Sequence, residues 1–153
     1  MKLSLRGEYA LRALVVLGLN YERGVVTTQA ISKAQNIPKR FLEQILNDLK
    51  AAEVVESRRG VTGGYRLALP PDQITLARVV RHIEGPLAPV GCVSEGFYEA
   101  CTCPDEARCG IRSVMKEVRD AIASILESVT VAQLCKRVQS LEAVSATHQD
   151  YSI

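Results

Sequence analysis

The sequence predicts a mainly α-helical protein with a small β wing, in which a winged helix-turn-helix is followed by a long C-terminal dimerisation helix. Segments with apolar residues at three- and four-residue steps come first, and two short alternating segments around a glycine-rich turn follow them. A longer amphipathic stretch lies near the C-terminus. Between these regions, residues 92–109 hold four of the five cysteines.

The composition is that of one globular domain with an appended element. The chain has 153 residues, of which 47% are hydrophobic and 24% charged. No apolar run approaches the roughly 18 to 20 residues that span a bilayer, and charges interrupt the apolar residues of the N-terminus, unlike a secretory signal. We therefore expect a cytoplasmic protein, whose thiols act as ligands or redox switches rather than as a disulfide framework.

The charge is unevenly distributed along the chain. Residues 1–83 contain thirteen Lys or Arg and seven Asp or Glu, whereas residues 84–153 contain six and ten. A basic half joined to an acidic half is typical of a phosphate-binding module with a separate regulatory region. Chance variation of the surface is the alternative explanation.

The N-terminal third predicts three helices. Residues 5–20, dense in Ala, Leu and Val, form a largely buried helix. Thr27 or Thr28 caps a short second helix. Pro38 closes that helix and opens a third over residues 39–52, because proline disfavours helix just before it but is tolerated at a helix start. The last two helices form a helix-turn-helix.

The segment after the third helix predicts a wing. Residues 54–57 and 65–69 are strands, and residues 58–64, rich in Arg and Gly, are the hairpin tip between them. Three helices followed by a basic hairpin favour a winged helix over an isolated helix-turn-helix.

The third helix and the wing carry the side chains that we expect to contact DNA. Major-groove recognition needs polar groups that bond to base edges, and Glu43, Gln44 and Asn47 lie close together on the third helix. Arg58 and Arg59 of the wing suit phosphate or the minor groove. A solvated helix face and a charged turn are the alternative. The full set of predicted contacts is Thr28, Lys39, Arg40, Glu43, Gln44, Asn47, Arg58 and Arg59.

The C-terminal half predicts further helices around the cysteines. Residues 74–83 form a helix with Thr75 as its cap. Residues 110–128 form a long amphipathic helix whose apolar stripe is best covered by the same helix of a second copy, with packing inside one subunit as the alternative. Thr130 caps a final short helix in which Cys135 belongs to the core.

The chain thus divides into four regions. They are a DNA-binding winged helix-turn-helix at residues 1–83, a cysteine-bearing sensor loop at residues 84–109, a dimerisation helix with a short packing helix at residues 110–139, and a flexible, frayed tail at residues 140–153. The second region is called the cysteine loop below.

The cysteine loop carries reactive chemistry. Cys92, Cys101, Cys103 and Cys109 offer soft thiolates that hold an iron–sulfur cluster or another metal, or exchange electrons among themselves. Zinc also takes four thiolates, but the gaps of eight, one and five residues lack the paired CxxC units common in structural zinc sites. A cluster-free switch that forms disulfides is favoured by the close pair Cys101 and Cys103.

An enzyme is the alternative from a different class. A cysteine with His82 suggests nucleophilic catalysis, but the sequence offers neither a phosphate-binding glycine loop nor a carboxylate pair to support it. We expect His82 to be an ordinary helix-surface residue.

Several segments resemble the winged-helix regulators of the Rrf-two type, which include IscR-like and NsrR-like iron–sulfur and nitric-oxide sensors. The resemblance covers residues 1 to about 139 and is carried by MKLSLRGEYALRAL, by PKRFLEQILNDLKAAEVVESRRGVTGGYRLAL, and by the cysteine loop before IRSVMKEVRDAIASILESVTVAQL. It implies a homodimeric DNA-binding repressor or activator whose cluster loop docks beside the first helix of the partner subunit. It also implies that Glu43 and Gln44 read bases and that Arg59 enters the minor groove.

The cysteines depart from the pattern of that family. Its typical members have three cysteines, the last two separated by five residues, which Cys92, Cys103 and Cys109 match. Cys101 is then an extra thiol. Where IscR-like proteins carry a ligating histidine three residues past the last cysteine, this chain has Arg112, a cation unable to ligate.

A fourth ligand must therefore come from elsewhere. By the same resemblance, Glu8 of the partner subunit is the expected fourth ligand of the cluster, with Cys101 as its rival. An oxygen ligand holds iron less tightly than a thiolate does, so such a position would react first. The resemblance implies a regulator whose DNA affinity depends on a two-iron or four-iron cluster that senses redox state, oxygen, nitric oxide or iron–sulfur supply.

Overall fold

The fold is mainly α-helical with a two-stranded wing, as the sequence predicts. The computed structural model describes residues 2–149, and these form six α-helices and one antiparallel sheet. The elements are α1 (Leu5–Leu19), α2 (Thr28–Gln35), α3 (Lys39–Ala51), β1 (Val55–Arg58), β2 (Gly64–Leu67), α4 (Leu76–Glu84), α5 (Gly110–Ser128) and α6 (Val131–Gln149). None of the helices in this described part is both long and apolar enough to cross a membrane.

Short polar side chains begin the helices at the expected places. The hydroxyl of Thr27 accepts a hydrogen bond from the backbone N–H of Ala30 at 3.1 Å, and α2 starts there. The hydroxyl of Thr75 caps α4 in the same way, through the N–H of Arg78 at 3.2 Å. Asn36 ends α2 in the left-handed conformation, with a φ of 51°, which turns the chain toward α3.

The helices and the wing share one hydrophobic core. The buried side chains of α3 lie on one face of the helix: Leu42, Ile45, Leu46 and Leu49. Burial of each contributes about 1.5–3 kcal/mol to the stability of the fold. This periodicity leaves Glu43, Gln44 and Asn47 exposed on the opposite face. The ring of Tyr9 on α1 meets that of Phe41 edge to face, with centroids 5.7 Å apart, and fixes the start of α3 against α1.

The wing is held close to the start of α2. Its strands pair from Val55 opposite Leu67 to Arg58 opposite Gly64, and a further bridge joins Val26 to Tyr65. A Cβ at Gly64 would lie 2.5 Å from the carbonyl oxygen of Val26, so this close approach requires glycine. The wing tip therefore stands beside the N-terminus of α2 and the exposed face of α3.

The last helix is longer than the sequence suggested. The prediction of a short packing helix that gives way to a frayed segment at Ser140 is wrong, because α6 runs from Val131 to Gln149. Residues 140–149 contain no Pro or Gly, and their Leu, Ala, Glu and Gln favour helix even where little packs against it. Residues 150–153 of the predicted tail lie outside the described residues. Cys135 is buried in the core, as predicted.

The apolar stripe of α5 lies largely in the open. Ala123 and Leu126 pack against a small cluster that includes Val80 of α4 and Leu87 of the cysteine loop. Four further apolar side chains of α5 are exposed: Ile111 (72%), Val114 (53%), Val118 (37%) and Ile125 (61%). This subunit alone covers only one edge of α5.

Candidate DNA-binding surface and cysteine loop

A groove runs between α2, α3 and the wing. We call it the winged-helix groove, and its lining includes Thr27, Thr28, Gln29, Lys39, Glu43, Lys50, Ser57, Arg58, Arg59 and Tyr65. Of the predicted DNA contacts, Thr28, Lys39, Glu43, Arg58 and Arg59 lie together in this lining. Arg40, Gln44 and Asn47 are exposed on α3 but lie outside the lining, toward the flank of the same surface.

The winged-helix groove is strongly basic. Its lining contains one acidic side chain, Glu43, and four cations: Lys39, Lys50, Arg58 and Arg59. The ammonium of Lys50 donates a hydrogen bond to the hydroxyl of Ser57 at 2.8 Å and ties α3 to β1. Lys50 is not among the DNA contacts predicted from the sequence, although it lies eleven residues after Lys39 and therefore on the same helical face.

Arginines outside the groove hold the C-terminal ends of its helices. Arg12 of α1 donates hydrogen bonds to the carbonyl and to the side-chain oxygen of Gln35, at the end of α2. Arg78 of α4 donates to the carbonyl of Ala52, just after α3, at 3.0 Å. Cations at these ends satisfy free carbonyls and complement the helix dipoles. The two helices of the helix-turn-helix are thereby fixed against the body of the protein.

The four loop cysteines form one continuous group of thiols. The Sγ atoms of Cys103 and Cys109 lie 3.8 Å apart. The thiol of Cys101 neighbours those of Cys92 and Cys103 and raises the pKa of each. Cys92 is buried, Cys101 and Cys109 are half-buried, Cys103 is exposed, and all are free.

The surroundings distinguish the thiols electrostatically. Cys109 caps α5, where the backbone N–H of Arg112 donates to its Sγ at 3.4 Å and lowers the pKa of this thiol. Burial raises the pKa of Cys92. Hydrogen bonds with Cys101 and Cys109 raise the pKa of Cys103 to about 12. Cys109 is therefore the thiol of these three that most readily becomes the nucleophile or the ligand.

Thiolates are suitable metal ligands, and one pair of these sulfurs lies at a distance that a shared metal would require. A tetrahedral metal with metal–sulfur bonds of about 2.3 Å places two thiolates about 3.8 Å apart, which is the separation of Cys103 and Cys109. No three His, Cys, Asp or Glu side chains in the described chain are arranged to hold a single metal ion. The pair thus provides one edge of a site, and a complete site needs further ligands brought to that edge.

Glu8, the expected fourth ligand, and Arg112, which stands at the position of the family's ligating histidine, both make other contacts in this structure. Glu8 is exposed on α1 and pairs with Arg12, with their charged atoms 3.3 Å apart. Arg112 donates from Nε to the carbonyl oxygen of Cys92 at 3.2 Å and pairs with Glu106 at 3.0 Å. Arg112 therefore fastens the loop where the resemblance would have a ligating histidine.

Three helices, a wing and a basic groove between them define a winged-helix DNA-binding protein. Residues 3–137 match the family model Rrf2, which is described as an iron-dependent transcriptional regulator. The chain belongs to the Rrf2 family of transcriptional regulators, as its resemblance implied.

Relatives and solved structures agree with this family. The rrf2-like helix-turn-helix transcriptional regulator of Rhodobacter capsulatus is 40% identical over 131 residues, which are 83% of this chain and 87% of the relative. CymR, the global cysteine regulator of Bacillus subtilis, has a similar structure with a TM-score of 0.76 and 31% identity over 90% of this chain and 98% of its own. The IscR of T. potens gives a TM-score of 0.71 and 28% identity over 90% and 88%. These proteins are regulators, and the protein is not an enzyme, so His82 has no catalytic role.

Proposed function

We propose that the protein is a homodimeric transcription regulator whose DNA affinity is set by an iron–sulfur cluster bound at the cysteine loop. The observation that carries this proposal is the Cys103–Cys109 pair, 3.8 Å between Sγ atoms at the N-terminus of α5. This separation suits two thiolates on one metal centre. A disulfide, with a bond of about 2.05 Å, requires the two sulfurs to move together.

Cys92, Cys103 and Cys109 are the proposed thiolate ligands, and Glu8 of the partner subunit is the proposed fourth. When bound, the cluster supplies iron that reacts with oxygen, nitric oxide or redox agents. Cys101 remains the rival fourth ligand, supported by its contacts with Cys92 and Cys103. Separate Glu8→Ala and Cys101→Ala variants distinguish the two, because only loss of the true ligand alters the visible spectrum of the cluster.

The proposed dimer is built on α5. Ile111, Val114, Val118 and Ile125 expose a long apolar stripe that a second α5 would cover. Two paired winged helices would then meet successive major grooves, about 34–36 Å apart on one face of the duplex. We place this DNA-binding regulator in the cytoplasm.

A cluster-free thiol switch is the second candidate, because the same pair of thiols lies close enough to be joined after a small movement. In this case a peroxide-class oxidant takes two electrons from Cys103 and Cys109, a disulfide forms, and the oxidant leaves as water with the two thiol protons. A zinc centre would use the same edge.

The test is the composition of the protein purified without oxygen. We expect a brown protein with sulfur-to-iron charge-transfer bands, containing iron and sulfide, and we expect Cys109→Ala to lose all three. Cys135→Ala is the matched control, because Cys135 is buried in the core away from the loop. A colourless, metal-free protein that binds DNA would overturn the cluster and point to the thiol switch or to a plain repressor, and zinc without sulfide would point to the zinc centre.

A further inference from the structure

Two arginines of α5 hold the chain on either side of Cys92. Arg112 donates from Nε to the carbonyl oxygen of Cys92 at 3.2 Å, and Arg119 donates from Nη1 to the carbonyl oxygen of Val93 at 2.6 Å. The two arginines are seven residues apart on α5, so they lie on one helical face two turns apart. They meet successive carbonyls of the single turn Gly91–Val93.

Arg119 is built into this contact rather than lying on the surface. Its side chain is only 13% exposed, and it also pairs with Glu95 of the cysteine loop at 3.2 Å and with Asp120 at 2.5 Å. Cys92 and Val93 are themselves buried, at 8% and 3% exposure. A shielded guanidinium that donates to a carbonyl makes a charge-assisted hydrogen bond, among the stronger polar contacts in proteins.

Arg112 contacts both ends of the thiol group. Its side chain reaches the carbonyl of Cys92, and its backbone N–H donates to Sγ of Cys109 at 3.4 Å. Glu106 holds its guanidinium in place. The first turn of α5 therefore fixes where the first and last cysteines of the loop lie relative to each other.

We propose that Arg112 and Arg119 are positioning residues, a clamp that holds the segment around Cys92 against α5 and keeps its thiol shielded until the loop opens. The ligand role of Cys92 rests on the proposed function, whereas the clamp itself does not require a cluster. Loss of the clamp frees the segment around Cys92 without disturbing the winged helix, because the contacts involved lie within the loop and α5.

The experiment measures alkylation of each cysteine in the reduced, metal-stripped full-length chain. N-ethylmaleimide is added in a timed pulse, and the modified cysteines are identified by peptide mass spectrometry. We expect Arg119→Gln to raise the labelling rate of Cys92 by at least about tenfold, because local opening exposes it, and Arg119→Lys to restore part of the protection. Cys135, 7% exposed in the core, is the internal reference for global unfolding and should stay slow.

Arg108→Gln is the matched control, since Arg108 is 89% exposed and pairs only with nearby Asp105 among the ion pairs of the described residues. Unchanged labelling of Cys92 in Arg119→Gln overturns the clamp. Should that variant also expose Cys135, then Arg112→Gln decides, and wild-type protection of Cys92 in Arg112→Gln overturns the clamp. The assay uses metal-free protein, so its result does not depend on whether the chain binds a cluster. Failure of the clamp, in turn, does not contradict the cluster proposal.

Discussion

Single side chains of the winged-helix groove have different expected roles. Arg58 and Arg59 are exposed cations at the wing and suit phosphate or the minor groove, whereas Glu43 is an acceptor on the face of α3 that suits a cytosine amino group. A phosphate contact adds affinity for every sequence, and a base contact adds it for one. The two kinds of residue can therefore be separated by their effects on DNA binding.

We expect Arg58→Ala to weaken binding to specific and unrelated duplexes alike, and to reduce the slope of log affinity against log salt by about 1. Glu43→Ala should leave that slope unchanged and relax the base preference at one position, by about 1–3 kcal/mol. Fluorescence anisotropy over a salt series, on a duplex selected from a random pool and on its scrambled form, measures both. The control is Arg108→Ala, on the cysteine loop; equal loss of affinity in this variant would contradict the assignment of Arg58.

The sequence predicts which side chains face solvent, because their positions follow from helical periodicity. It does not predict the side chains whose role depends on contact with a distant part of the chain. Polar periodicity on α3 and a basic hairpin were enough to place Lys39, Glu43 and Arg58 in one groove. The amphipathic pattern of α5 gave no sign of a special role for Arg119. Its role depends on the carbonyl of Val93, which is brought to it by the folding of the loop.

Helix packing sets the geometry of the protein at the scale of its elements. The helix α1 crosses α6 closely at Gly18, where a Cβ would lie 2.7 Å from Sγ of Cys135 and 2.9 Å from Cγ1 of Val131. The starts of the helices were predictable because their caps are local, and the end of α6 was not. Its polar composition suggests fraying, yet nothing in residues 140–149 breaks a helix.

We expect Gly18→Ala to lower the free energy of unfolding by about 1–3 kcal/mol, since overpacking outweighs the better helix propensity of alanine. Adding Cys135→Ala should recover part of that loss, because the sulfur nearest the new methyl group is removed. Urea unfolding of the two single variants and the double variant gives the coupling. Gly110→Ala is the control, as a Cβ there meets nothing within 4 Å. Strictly additive effects of Gly18→Ala and Cys135→Ala would rule out the close contact as the cause.

At the scale of the whole molecule, polar contacts link the cysteine loop to the winged-helix groove. Arg119 joins the loop to α5, and Arg81 of α4 pairs with Glu127 of α5 at 2.5 Å. Arg78 of α4 then reaches the carbonyl after α3. The ion pair of Arg81 is exposed and contributes little by itself, so the apolar packing of Val80 against α5 carries most of this junction. These contacts form a continuous path from the loop through α5 and α4 to the end of α3.

Control of DNA affinity by the loop is tested most directly by one comparison at fixed salt. The dissociation constant for a selected duplex is measured without oxygen on cluster-loaded protein and on the same preparation after the iron is removed. We predict a difference of about 5- to 150-fold, the usual range of allosteric coupling, with Cys109→Ala held at the affinity of the stripped form under both conditions. Equal affinities of the loaded and stripped wild-type protein would contradict control by the cluster.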